Sequence, residues 1–490
     1  MNRGLLSLAA AAALTLALVI PGTSAAAQRL ESFEYPSELV NPLDEPGFKN
    51  PNRPSTLGVN VLLPDGFDRT SAEAKRGYPV LYLLHGANGY HRTWADDMHV
   101  ADIAAGFPGI IVMPDGGVFG MYTDWNNRGA YGRPGWMSYH LNQLLESIES
   151  KYPIRSGRRW HAIAGVSMGG GGAVRYAAAR PGYFGSVAAF SAAPLNFKLP
   201  EAEIAVNISG QAIGEGATFE DLWGPSSGFY ATANNPQDLI PNLAATRVFI
   251  TSGDGTLCPG DPLDTNPGDM VLESVLRTHA TAFVDAAVEA GVDATEQRTC
   301  GAHSYPTSRR ALESALAWGM FGEVPEDPHQ WTYLTASPSG DAHGVRFEFD
   351  SQPTTLIRFT RNGDVLRGTG EGDLRIRFGK SCDFTVKMPF EVSLAGCQAD
   401  PRAKTSLRLT RTGSILKLRS TGAVVRHVRL KVVRVAGKGK KTVSERRIGA
   451  VGSKNRRVRL KLKPHARYRI VARGDSGGRM LRKTLRFRTN

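Results

Sequence analysis

The sequence predicts an α/β domain, with a largely parallel sheet covered by helices on both faces, followed by an all-β region that closes as a β-sandwich. Three observations carry this expectation. From Leu57 to Phe321, short apolar segments alternate with amphipathic ones, the pattern of buried strands joined by crossover helices. Beyond about residue 330 the helical period disappears and period-two alternation replaces it. The charge also divides: residues 401–490 hold 29 Lys and Arg against only Glu445 and Asp475, whereas the other 400 residues hold 30 basic and 43 acidic side chains.

The elements follow in order. Met1-Asn2-Arg3 starts positively, Leu5 to Ile20 is a short apolar run, Pro21-Gly22 breaks it, and Ala25-Ala26-Ala27 offers small residues for cleavage. Residues 1–27 therefore read as a signal peptide cleaved after Ala27; the run is shorter than the ~20 residues that a spanning helix needs. No later segment is long and apolar enough to span, so the mature chain is expected to be secreted, with cell-wall association open to it. The catalytic domain is assigned to 28–323. Its strands are expected at Thr56–Leu63, Pro79–Leu84, Gly109–Met113, Trp160–Ala164, Ser186–Phe190 and Arg247–Thr251. Its helices are expected at Trp136–Lys151, Met168–Ala179, Met270–Ala290 and Ser308–Phe321. Pro- and acid-rich residues 324–330 read as a linker. A β-rich module covers 331–400, with segments such as Gly344-Val345-Arg346-Phe347-Glu348-Phe349 and an Asn362-Gly363 turn. The basic module, 401–490, alternates aliphatic and cationic residues, as in Arg457-Val458-Arg459-Leu460-Lys461-Leu462-Lys463, which puts cations on one face of a sandwich sheet. Four cysteines in an exported chain imply disulfides, and proximity favours Cys382–Cys397 and Cys258–Cys300. None has the spacing of metal ligands, and no cofactor is expected.

The chemistry is announced by Gly165-Val166-Ser167-Met168-Gly169, preceded by the strand-like His161-Ala162-Ile163-Ala164 and followed by a helix. A serine on a sharp strand-to-helix turn, with residues lacking bulky side chains two places to either side, is the nucleophile elbow of the α/β-hydrolase fold. A serine hydroxyl needs a base, and the base needs an orienting carboxylate. In this fold the chain order is Ser, acid, His. His303 lies in a loop before the last helix of the domain, whereas His279 falls mid-helix and His329 in the linker, so His303 is the expected base. The acid is open between Asp254, directly after the strand ending at Thr251, and Glu273, at the start of a helix; Asp269 is a third option with an N-cap role as its alternative. The oxyanion hole should use the amide of Met168 and an amide of the turn His85-Gly86-Ala87-Asn88, with Ala87 the expected donor.

Leu84-His85-Gly86, Met113-Pro114-Asp115-Gly116-Gly117, Tyr122-Thr123-Asp124-Trp125, the elbow and His303-Ser304 together resemble the antigen 85 mycolyltransferase and esterase D branch of the α/β hydrolases, over most of residues 55–320. Val271-Leu272-Glu273-Ser274-Val275-Leu276-Arg277 resembles the antigen 85 helix that carries the acid, so the resemblance implies Glu273 as the third member, with Ala87 and Met168 as oxyanion donors. The chain departs from antigen 85 where that family uses an Asp and an Arg around the oxyanion turn for trehalose: His85 and Asn88 stand there. Tyr305 stands where the family has a Trp.

A secreted serine esterase working through an acyl-enzyme is the expected function. Acyl transfer from a glycolipid to an envelope sugar is the first alternative, and a non-catalytic wall-binding protein the second. The expected partners are an ester or glycolipid substrate and, through 401–490, an anionic wall polymer or lipid headgroups; no specific nucleic acid is expected, because basicity alone binds phosphate without reading sequence.

Overall fold

The computed structural model describes residues 28–40, 57–126, 134–214, 216–379, 381–397, 406–412, 414–421, 425–436, 439–451, 456–460, 462–476 and 479–489. The expected signal peptide, 1–27, lies outside the described residues. Among those described, no helix is long and apolar enough to cross a membrane.

The chain opens on an eight-stranded sheet of β1 (Arg29–Glu34), β2 (Gly58–Leu63), β3 (Val80–Leu84), β4 (Ile110–Pro114), β5 (His161–Val166), β6 (Ser186–Phe190), β7 (Arg247–Ser252) and β8 (Asp293–Arg298), in the order β1-β2-β4-β3-β5-β6-β7-β8. The two edge pairs β1/β2 and β2/β4 are antiparallel, and every pair from β4/β3 to β7/β8 is parallel. This is the fold class that the sequence predicts. The central strands are apolar throughout because both of their faces are covered. On β3, Val80, Tyr82 and Leu84 enter one core while Leu81 and Leu83 enter the other. Helix α1 (Met168–Ala179) packs on one face, while α4 (Tyr305–Trp318) closes the other. Two more helices matter to the site: α2 (Pro200–Ile213) and α3 (Pro267–Glu289).

The helix expected over 136–151 forms, but Tyr139–Leu144 within it is π-helical. The widened turn holds His140, whose ring bonds the Tyr176 hydroxyl at 2.8 Å and the Asp115 carbonyl at 2.9 Å. Strands β1 and β8 escape the apolar pattern because they are edges with little core contact; β8 reads Asp-Ala-Thr-Glu-Gln-Arg.

Beyond α4 the chain is all-β. Within Gln330–Ser393, two four-stranded antiparallel sheets enclose a core that includes Trp331, Phe347, Phe359 and Phe378. Val345, Phe347 and Phe349 point inward while Arg346 and Glu348 face solvent, and Cys382–Cys397 closes a disulfide. This unit is fastened to the α/β domain. The Asn242 side chain makes two bonds to the Leu334 backbone, at 2.8 and 2.9 Å, and the Tyr333 hydroxyl reaches the Ala179 carbonyl at 2.9 Å. The segment expected to be a linker is also held, because buried Arg158 donates to the Pro325 carbonyl and its amide bonds the Glu326 carboxylate. The described residues within 406–489 form a three-stranded and a four-stranded antiparallel sheet over a separate core of Leu416, Leu418, Leu430, Val432, Ile470 and neighbours.

Candidate active site

The elbow is built by close approach. Ser167 has φ 53° and ψ −121°, a strained left-handed conformation at the junction of β5 and α1. A Cβ on Gly165 would lie 2.3 Å from the Gly169 carbonyl oxygen, and one on Gly169 would lie 2.4 Å from the His85 oxygen, so neither position accepts a side chain. The strained turn is held by its backbone: the Ser167 amide donates to Phe190 at 2.8 Å, and its carbonyl accepts from Gly170, Gly171 and Ala193.

His303 reaches Ser167 across the sheet, with Nε2 3.0 Å from Oγ. Its Nδ1 lies 2.8 Å from Glu273 Oε2. The histidine side chain keeps about a fifth of its surface exposed (19%), whereas Glu273 is fully buried (0%). The other carboxylate oxygen, Oε1, accepts from the Ser191 hydroxyl and the Gly253 amide, each at 2.6 Å. Glu273 is thus held by three donors, which is what a buried carboxylate requires.

The structure separates the acid candidates. Asp254 is 38% exposed in its side chain, bonds Thr256 at 2.9 Å and pairs loosely with Arg277 at 3.7 Å. The Thr256 hydroxyl, against the opposing effect of burial, holds the Asp254 carboxyl below its usual range. Asp269 is not the N-cap of α3; Asn266 is, accepting from the Gly268 amide at 2.8 Å, and Asp269 sits in the first turn, offering its carbonyl to the His303 amide at 3.0 Å. The Cys258–Cys300 disulfide joins the loop after β7 to the loop that carries His303. His279 pairs with Glu201 of α2 at 3.3 Å.

Met168 is the first residue of α1, so its N–H has no acceptor within the helix. The Ala87 turn lies against the elbow: a Cβ on Gly86 would stand 3.4 Å from the Ser167 Cβ. Buried side chains support that turn from beneath. His85 Nε2 accepts from the Gly116 amide at 2.8 Å, which leaves Nδ1 to donate to the Gly86 carbonyl at 2.8 Å. The Tyr122 hydroxyl donates to the His85 carbonyl at 3.1 Å. Burial pushes His140 in the same network down to about 4, so it is neutral near pH 7. His85 itself is buried, with both ring nitrogens engaged. Sequence reasoning missed Ser191, a buried residue at φ 44° just after β6, which carries no motif.

The arrangement can activate a hydroxyl: a base within bonding reach of it, an orienter behind the base, and amides near the serine. Among the described residues, no group of three or more His, Cys, Asp or Glu is placed to hold a metal ion.

Comparison with known proteins shows what the chain is similar to. The model of the Esterase family matches residues 52–318. An esterase of Mycobacterium tuberculosis is 34% identical over 256 residues, covering 51% of this chain and 52% of that protein. The diacylglycerol acyltransferase/mycolyltransferase Ag85A of Mycobacterium gordonae is 30% identical over 228 residues, covering 44% of this chain and 63% of the relative. The chain spans about half the length of the first of these relatives and under two thirds of the second. A solved ferulic acid esterase superposes with a TM-score of 0.42 at 24% identity, covering 60% of this chain and 98% of its own. The resemblance to the antigen 85 branch is thus met by a relative of that kind.

Proposed function

We propose, from the premise that the chain belongs to the esterase family, that it is an exported serine esterase with Ser167 as nucleophile, His303 as general base and acid, and Glu273 as the orienting carboxylate. One observation carries this reading: the unbroken relay from Ser167 Oγ through His303 to Glu273, with separations of 3.0 and 2.8 Å. His303 Nε2 takes the serine proton as Oγ attacks the ester carbonyl. Glu273 stabilises the imidazolium and holds the proton on Nδ1. The amides of Met168 and Ala87 receive the oxyanion, and removing one such donor typically costs about 3–4 kcal/mol. His303 then protonates the leaving alcohol, and water hydrolyses the acyl-enzyme by the reverse sequence. Export is supported by the leader-like residues 1–27 and by two disulfides.

A second reading, acyl transfer from a glycolipid, has support on its acyl-donor side alone. Val271, Leu272 and Val275 on α3, beside Glu273, and Ile204 and Ile208 on α2 are exposed apolar side chains, and Glu201–His279 links the two helices. Such a surface suits a long acyl chain. The basic module would hold the enzyme to an anionic polymer or headgroup layer of the envelope.

Ser167→Ala is expected to abolish turnover of a short p-nitrophenyl ester while leaving the fold intact by circular dichroism. Undiminished turnover would end the hydrolase reading. Product analysis with and without an added polyol separates hydrolysis from transfer.

A further inference from the structure

The basic unit shows how its charge is arranged. In the four-stranded sheet, strand Arg467–Ser476 pairs antiparallel with strand Arg479–Arg488 in a register that sets Arg467 opposite Arg488 and Arg469 opposite Arg486. On the other side of strand Arg467–Ser476, Arg473 stands opposite Arg429. Like charges directly opposed across an antiparallel pair destabilise a sheet. The sequence offers almost nothing to neutralise them, since Glu445 and Asp475 are the only acids from 401 to 490. The two cross-strand pairs Arg467–Arg488 and Arg469–Arg486 also line a hollow of about 480 Å³, together with Val435. Arg469, one of the lining residues, keeps its Nε buried and without a hydrogen-bond partner among the described residues. A buried guanidinium nitrogen left unpaired is costly unless something arrives to accept from it.

We infer that this hollow is a binding site for the phosphate groups of an extended polyol- or sugar-phosphate polymer. The inference rests on the reading of 401–490 as a binding module and gives it a place and a ligand class. Four arginines, with no lysine among the lining residues, favour phosphate, because the planar guanidinium fork meets two phosphate oxygens at once. Neighbouring strands about 4.8 Å apart, and residues i and i+2 about 6.6 Å apart, spread the four cations over a patch that successive phosphates of one extended chain can span. Nucleic acid is the poorer fit. Single-stranded binders stack bases on open aromatic rings, and here the Phe487 ring is stacked on Tyr468 at 5.6 Å and covered by Arg411 at 4.2 Å. A bilayer is also the poorer fit. Interfacial docking adds apolar anchors to cations, and among those residues of 406–489 whose side chains are described no large apolar side chain is exposed.

The test is a binding titration on the full chain with three probes of matched charge: a synthetic oligo(glycerol phosphate), a single-stranded oligonucleotide, and phosphatidylglycerol vesicles. The oligo(glycerol phosphate) is expected to bind tightest. The quadruple variant Arg467→Gln, Arg469→Gln, Arg486→Gln, Arg488→Gln should bind it at least about 30-fold more weakly at 0.1 M salt, and the slope of log affinity against log salt should fall by about 3. Arg469→Lys guards against misfolding of the quadruple variant. It keeps the charge, loses the fork, and should weaken binding by about tenfold with unchanged melting. A control with Lys417, Arg457, Arg459 and Lys463 changed to Gln should lose less than about threefold. Equal losses in the two quadruple variants, or wild-type affinity in Arg469→Lys, would overturn the hollow as the site. Tighter binding of the oligonucleotide or the vesicles would overturn the ligand class. Binding of none of the probes would overturn both the hollow and the module reading, and would leave the proposed ester chemistry untouched, since the readout does not depend on turnover.

Discussion

Replacing Glu273 by Gln puts the proposed mechanism at its sharpest risk, because the hydrogen bonds around the carboxylate dictate which way the new amide must face. Oε1 accepts two donors at 2.6 Å, the Ser191 hydroxyl and the Gly253 amide. A serine hydroxyl can rotate, but a backbone N–H cannot, so the carboxamide oxygen must occupy the Oε1 position. The NH2 group then faces His303 Nδ1, where a carboxylate oxygen now sits at 2.8 Å. Nδ1 must become an acceptor, the ring proton moves to Nε2, and Nε2 points a hydrogen at Ser167 Oγ where it should receive one. The opposite rotamer would leave NH2 against the Gly253 N–H, two donors face to face in a buried site. The wrong tautomer costs about ten-thousandfold in kcat in serine proteases, or about 5 kcal/mol, and a loss of that order is expected here with KM nearly unchanged. Steady-state hydrolysis of p-nitrophenyl butyrate measures it. Asp254→Asn provides the contrast: that half-exposed side chain bonds Thr256 and Arg277 and not His303, so a change of no more than about twofold is expected. Activity of Glu273→Gln within tenfold of wild type, or a collapse in Asp254→Asn, would refute the assignment of the acid.

Three further outcomes follow from the same contacts. Ser191→Ala removes one of the two donors on Glu273 Oε1 and should lower kcat by about tenfold with KM unmoved, the effect of one hydrogen bond to a charged group; a change in KM alone would contradict an orienting role. Replacing Cys258 and Cys300 together by Ser frees a 42-residue loop, which chain entropy puts at about 4 kcal/mol, and should lower the first thermal transition by about 10 °C; an unmoved transition would show that the loop is held by other contacts. Burial pushes His140 and His161 down to about 4 from 6.5, so each contributes stability that is complete above pH 6.5 and is lost as pH falls toward 4, about 2 kcal/mol per group at pH 5; equal denaturant midpoints at pH 7.5 and pH 5 would refute it.

What the sequence made legible was whatever depended on local backbone. The elbow showed itself because a Cβ added at Gly165 or Gly169 would come within 2.3 or 2.4 Å of backbone a few residues away or on the adjoining turn. The central strands and α1 were found nearly to the residue, since full burial on both faces writes a continuous apolar run. The edge strands β1 and β8 were missed, for an edge with little core contact writes no such run. The choice between Asp254 and Glu273 could not be made from residues alone, because it turns on which carboxylate faces across the sheet, a matter of the rotation of α3 about its axis. A local signal did exist. On α3 the apolar Val271, Leu272 and Val275 face solvent while Glu273 is buried, the reverse of an ordinary amphipathic helix. Such an inversion argues that the buried charge is wanted where it is, because burying an unpaired carboxylate would cost far more than exposing three aliphatic side chains.

The same inversion bears on substrate. A helix that turns its carboxylate inward must turn aliphatic residues outward at the positions between, so orienting His303 and presenting Leu272 and Val275 beside the site are two consequences of one rotation of α3. On the other side, the residue standing where the antigen 85 resemblance places a sugar-binding acid is itself buried. His85 is enclosed, its two ring nitrogens engaged by Gly86 and Gly116, and Asn88, at φ 59°, stands in for the longer cationic side chain of that family. Apolar residues beside the acid, with His85 engaged by the backbone and Asn88 in place of a longer cation, favour the acyl half of an ester over a sugar acceptor. On this argument water should outcompete an added sugar for the acyl-enzyme even when the acyl chain is long, and chain length should act mainly on KM.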